Sequence, residues 1–229
     1  MKGKDPLRRS IRAQAVSIGF AIAPFGLAFG ALCTEAGVGI WEALGFSALV
    51  FGGSSQFAAV SVLADEGTVI AAVTSGLLLN LRSLAFGVSM APSLQGSFFW
   101  RACISQLMID ESTAVASAQS THNNRRYGYL WGGLSVFVLW NLMTLIGVSV
   151  LSETKSLITD LGIDATIPAA FLGLIWGKLT NPTHRVIGII GAVIAFVLVP
   201  VTPAGIPVIA AAAGVIWVRP WQSKTGETA

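Results

Sequence analysis

Long apolar runs alternate with short polar clusters along the chain. A helix needs about 20 apolar residues to cross the roughly 30 Å hydrocarbon core of a bilayer. Three charge-free runs meet that length, at residues 13–34, 43–64 and 127–152. A fourth, at 186–218, is too long for one straight span at about 1.5 Å per residue. Pro200, Pro203, Gly205 and Pro207 predict a turn that splits it into two short spans. Three weaker segments carry polar interruptions: 68–92 with Asn80 and Arg82, 97–119 with Asp110 and Glu111, and 163–179. The expected fold is all-α, a polytopic transmembrane helix bundle of about seven or eight hydrophobic segments, some interrupted or re-entrant. Segment 68–92 is the one expected either to cross or to dip. The runs are continuously apolar rather than alternating, which argues against a membrane β-barrel.

Composition strengthens this picture. Apolar residues make up 54% of the 229 positions and charged residues only 11%, against about 25% in soluble domains. Mean hydropathy is +0.73. These values exclude a cytosolic enzyme, a charged disordered tail and a disulfide scaffold, and no nucleic-acid partner is expected. The length suits one domain: a basic cytoplasmic tail at 1–12, the bundle at 13–219 and a polar cytoplasmic tail at 220–229. No cleavable signal is visible. Cys33 and Cys103 read as packing residues rather than a disulfide.

Charge orients the spans. With the N-terminus cytoplasmic and eight crossings, eleven of fourteen Lys and Arg fall on that side, as the positive-inside rule requires. Arg101 and Lys155 fall outside, and Arg82 lies within a span. A re-entrant pair preserves the same parity. Both termini are then cytoplasmic, in a plasma-membrane protein.

Chemistry is confined to a few intramembrane positions. Pro24, Gly26 and Gly30 interrupt the first span, and Gly52-Gly53-Ser54-Ser55-Gln56 interrupts the second. Interrupted helices line substrate sites in secondary transporters. GxxxG pairs at Gly26/Gly30, Gly128/Gly132 and Gly173/Gly177 read instead as helix packing. Arg82 costs roughly 2.5–3.5 kcal/mol at a helix centre and calls for a partner. Asp110 and Glu111 are the available counter-charges. Adjacent helical positions differ by about 100°, so only one of them can face Arg82 directly. Either is a candidate for carrying a coupling proton. No cofactor is implied: there is no P-loop, GxGxxG or metal-ligand spacing. Gly52-Gly53-Ser54 lacks the second glycine of a nucleophile elbow, because Gln56 stands there.

Phe25-Gly-Leu-Ala-Phe-Gly30, Phe51-Gly-Gly-Ser-Ser-Gln-Phe57, Leu79-Asn-Leu-Arg82 and Asp110-Glu111 resemble, in order and spacing, the AzlC family. These are large subunits of branched-chain amino acid export permeases. The resemblance runs over about 10–218 and is strongest in the first half. It implies export of leucine, isoleucine, valine and methionine, with a small AzlD-type membrane subunit as partner. The positions at stake are Gly52, Gly53, Ser54, Ser55, Gln56, Asn80, Arg82, Asp110 and Glu111. An α-carboxylate needs a cation or a helix N-terminus, which Arg82 or the backbone near Gly53 would provide. Asn80, Ser54, Ser55 and Gln56 would supply hydrogen bonds, and Asp110 or Glu111 would take the ammonium or the proton. Trp41, Phe51, Phe57 or Phe86 would line an aliphatic pocket, with Trp100, Trp131, Trp217 and Trp221 as interfacial anchors. A passive channel and a non-transporting assembly subunit are the rival readings.

Overall fold

A computed structural model describes residues 6–152, 172, 176, 179–202, 206–207 and 209–211. Its frame is a pair of long helices, α1 (Pro6–Glu35) and α8 (His122–Ser152). They run parallel and pack through small residues. Gly19 lies against Ser135, Gly26 against Trp140, and Gly30 against Thr144 and Val148. A Cβ on Gly30 would stand 2.5 Å from the Thr144 carbonyl oxygen, so only bare backbone permits this approach. The Thr144 hydroxyl, fully buried here, donates to the Trp140 carbonyl at 2.9 Å. At the shared N-terminal end, the Arg8 and Arg12 guanidinium groups lie 5.2 and 5.5 Å from the Tyr127 and Trp131 ring centroids, within cation–π range. Of the GxxxG pairs, Gly26/Gly30 seats α1 on α8. Gly128/Gly132 seats α8 against Val115 and Ser112, and Gly173/Gly177 lies outside the described residues.

Parallel helices demand an odd number of crossings between them, and the chain makes one. It is the 22-residue stretch Val69–Met90, built as α4 (Val69–Asn80) and α5 (Arg82–Met90) with a turn at Leu81. Segment 68–92 therefore crosses. With α1 and α8, it is the third described helix long and apolar enough to span a membrane.

Residues 43–64 and 97–119, each expected to cross, instead turn back. The first forms α2 (Ile40–Leu49) and α3 (Gly53–Ala64), at about 1.5 Å per residue each only half a bilayer long. α2 starts where α1 ends and α3 ends where α4 starts, so both outer ends lie at the far face. The tip between them reaches Trp140, halfway along α8, where Gly53 abuts the indole ring. Phe29 confirms the pairing, touching Phe46 of α2 and Phe57 of α3 at ring distances of 6.3 and 5.7 Å. The second hairpin is α6 (Phe98–Ser105) and α7 (Asp110–Ser117). It enters from the face where α1 begins: Arg126 lies 5.1 Å from the Trp100 ring, and Val115 packs on Gly128. The hydropathy of a run counts apolar residues and carries no direction, so a crossing and a folded hairpin look alike in sequence.

Two half-depth hairpins replace two crossings, so α8 begins on the same face as α1, as the expected crossings would also have placed it. Arg101 is the correction: it sits beside Trp100 on the same face as Arg8, Arg12, Arg125 and Arg126, not on the opposite one. Among the described residues, every acidic side chain except Asp110 and Glu111 lies near the far face: Glu35, Glu42, Asp65 and Glu66. α1 already begins at Pro6, and Ile11 in the basic segment is buried. In run 186–218, α9 (Pro182–Leu198) ends in a turn that includes Pro200, and most of the expected second span lies outside the described residues. Segment 163–179 falls almost wholly outside the described residues.

Two loop turns at the far face close with the same hydrogen-bond pattern. After α1, Val38 N–H donates to Cys33 and Gly37 N–H to Thr34, with Gly37 at φ +72°. After α3, Gly67 donates to Val62 and Glu66 to Leu63, but here Glu66 takes the left-handed position at φ +59°. Glycine suits that position because it has no Cβ to crowd the carbonyl.

Candidate functional site

Three helix starts converge halfway through the bundle. α3 begins at Gly53, α5 at Arg82 and α7 at Asp110. Around them lies a cavity of about 60 Å³, lined by Gly53, Ser54, Arg82, Ile109, Asp110 and Glu111, and walled by Ile22, Phe25, Phe51, Phe57, Val136 and Trp140. The helix dipole places partial positive charge at the starts of α3 and α7. Gly52 brings no capping side chain to α3, so the first-turn N–H groups of Gly53 and Ser54 are not masked by a cap. A Cβ on Gly53 would stand 3.0 Å from the Trp140 ring. Glycine there lets a helix end approach the indole closely.

Arg82 Nη1 donates to Asp110 Oδ2 at 2.9 Å. Both side chains keep about a third of their surface open, 36% and 31%, because they face the cavity. At the turn before α7, the Ser112 hydroxyl accepts the Ile109 N–H at 3.1 Å and donates to the Ile109 carbonyl at 3.0 Å. That local closure fixes where Asp110 projects. The carboxylate also sits favourably at a helix start.

The other sequence-flagged residues divide around this cavity. Ser55 and Asn80 line a neighbouring groove of about 510 Å³ between α2, α3 and α4. There the Ser55 hydroxyl donates to the Gly52 carbonyl at 2.7 Å and Ser83 donates to Asn80 Oδ1 at 2.9 Å. A Cβ on Gly52 would meet the Ser55 hydroxyl at 2.8 Å, so the tip is tightly wound. Gln56 is fully buried, and neither its amide oxygen nor its nitrogen finds a partner among the described residues. It lines neither space. Of the aromatic candidates, Phe51 and Phe57 wall the cavity. Trp41 does not, being 82% exposed at the start of α2, and Phe86 is absent from the lining. Trp100 and Trp131 hold arginines as anchors do, while Trp217 and Trp221 lie outside the described residues. Cys33 is buried, Cys103 exposed, and both are free thiols.

Sequence reasoning passed over Ile22, Ile109, Val136 and Trp140. They are ordinary apolar residues of long runs, and only the packing of α1, α7 and α8 turns them inward. Gln106 was passed over too. Its amide donates to the Ala48 and Leu49 carbonyls at 2.7 and 3.1 Å.

Broken half-helices that meet at mid-depth, around a charged pair and within full-length apolar spans, define a polytopic membrane protein with an internal polar site. A family model described as AzlC protein matches residues 17–153, which hold all of the elements around the cavity. The chain belongs to the AzlC family. The inner membrane protein YgaZ of Escherichia coli (strain K12) is 29% identical over 133 residues, 54% of this chain and 53% of that protein. The aligned stretch thus spans about half the length of that curated relative. No solved structure matches.

Proposed function

We propose that this chain is a secondary transporter that exports branched-chain amino acids, with methionine as a further cargo, and that it works with a small AzlD-type membrane subunit. Membership of the AzlC family supports the transport role. The observation that carries the site is the Arg82–Asp110 pair set between the starts of α3 and α7. A zwitterion complements this arrangement at both ends. Its carboxylate would take the Arg82 guanidinium and the N–H groups of Gly53 and Ser54, and its ammonium would take Asp110 or Glu111. The aliphatic side chain would rest against Phe25, Phe51 and Phe57.

Substrate entry would compete with Asp110 for Arg82, and a proton on Asp110 or Glu111 would ease that exchange. The coupling ion would then be a proton carried on one of these carboxylates. A cavity of about 60 Å³ is far below the 300–1,000 Å³ of sites that enclose whole ligands. Loading therefore requires the hairpins to move, which suits alternating access better than an open pore. The basic face, with Arg8, Arg12, Arg101, Arg125 and Arg126, would be cytoplasmic.

The test is efflux of preloaded labelled leucine from cells carrying the chain with and without its small partner. Arg82→Ala and Asp110→Asn would be compared at matched membrane abundance. A hydrogen bond to a charged group contributes about 1.5–3 kcal/mol, so each variant should slow efflux by about 10- to 150-fold. Wild-type efflux in both variants would reduce the pair to a structural tie. No aliphatic efflux from the paired wild type would remove the cargo assignment.

A further inference from the structure

We infer that Gln106 is a latch between the two hairpins, a positioning residue that holds together the two tips that line the central cavity. α2 ends at the tip of the far-face hairpin, where its last carbonyls have no intrahelical donors. Gln106, at the tip of the opposite hairpin, supplies its amide to two of them, Ala48 and Leu49, at 2.7 and 3.1 Å. Residues more than fifty positions apart, on elements rooted at opposite faces, are thereby tied at mid-depth. In a low-dielectric setting such a bond is electrostatically stronger than in water.

The spaces around the joint show what it holds. From the far face, the groove of about 510 Å³ reaches down to Val50 and Ser55. From the basic face, a second groove of about 560 Å³, between α5 and α6, reaches Ser105 and Met108. The central cavity lies between, lined by Phe51, Gly53 and Ser54 from one tip and Ile109 from the other. Each tip thus contributes some residues to a groove and others to the cavity. The Gln106 amide ties the two tips together. Breaking the latch frees a tip to swing and joins a groove to the cavity.

The inference gives the transporter reading its gate and rests on that reading for its purpose only, since accessibility can be measured without substrate. The full chain, carrying Cys33→Ala, Cys103→Ala and Ser54→Cys, would be labelled with a charged methanethiosulfonate in right-side-out and inside-out vesicles. Gln106→Leu keeps the side chain's bulk and removes both donors. It should raise the labelling rate at position 54 by about tenfold on at least one side, the shift given by about 1.4 kcal/mol of lost hydrogen bonding. Gln106→Asn, one methylene short, should rise by less and serves if the leucine variant does not accumulate. Labelling at the parental rate in the folded variants overturns the latch. So does faster labelling that comes with a matching loss of melting temperature, which would mark general loosening. Faster labelling together with no leucine efflux from the unsubstituted chain would keep the latch and sink the cargo, whereas normal efflux from the unsubstituted chain with unchanged labelling would do the reverse.

Discussion

The packing of α1 on α8 sets the width of the cavity, and one added methyl group tests it. A Cβ at position 30 would stand 2.5 Å from the Thr144 carbonyl oxygen, 2.7 Å from the Val148 nitrogen and 2.9 Å from the Gly147 Cα. Ordinary contact begins near 3.4 Å, so the helices must separate by several tenths of an ångström. All three atoms are backbone, and no side-chain rotation can relieve them. The facing Gly147 is equally tight, since its own Cβ would collide with the Leu27 carbonyl. Overpacking of this kind costs about 1–3 kcal/mol, and for a chain of this size each kcal/mol moves the melting temperature by about 2–4 °C. Gly30→Ala should therefore melt about 2–12 °C below the parent in mild detergent, read by size-exclusion fluorescence after heating. Gly45 is the control: it sits within α2 with nothing within 4 Å of an added Cβ. Gly45→Ala gains helix propensity, about 1 kcal/mol at most, and should melt at or slightly above the parent. Equal melting of the two alanine variants would refute the close parallel packing of α1 and α8.

Other predictions follow from single residues. Glu66 holds a left-handed turn position, so Glu66→Gly should raise the melting temperature by the equivalent of about 1 kcal/mol; a fall would mean that the carboxylate carries a compensating role. Gln56 is buried with its amide unsatisfied among the described residues, so Gln56→Met should leave stability level or higher. If leucine efflux drops while stability holds, the amide serves transport; if both hold, Gln56 leaves the candidate site. In detergent, N-ethylmaleimide should modify exposed Cys103 at least about tenfold faster than buried Cys33, and equal rates would contradict the placement of Cys33 inside α1.

Much was legible in the sequence because the bilayer imposes simple rules. Charge-free runs, the clustering of arginines and the cost of Arg82 within a span pointed to a helical membrane bundle with a charged interior. Gly52-Gly53 marked a break in the second run, since two glycines before Ser-Ser-Gln weaken a helix in hydrocarbon, but did not show that the chain turns back there. The second tip, Gln106 to Ile109, contains no glycine or proline and gave no such signal. It is held by partners distant in sequence: Ala48 and Leu49 for Gln106, and Tyr129, whose hydroxyl donates to the Ile104 carbonyl at 2.7 Å.

Only the tertiary structure could decide which apolar runs cross and which fold back, because hydropathy sums residues without regard to direction. It also chose Asp110 as the partner of Arg82, a choice that adjacency alone left open, and it turned Val136 and Trp140 of α8 toward the cavity. Burial in lipid dictates composition run by run. The placement of a site depends on which helix ends meet, and that is settled by close contacts between residues far apart in the chain.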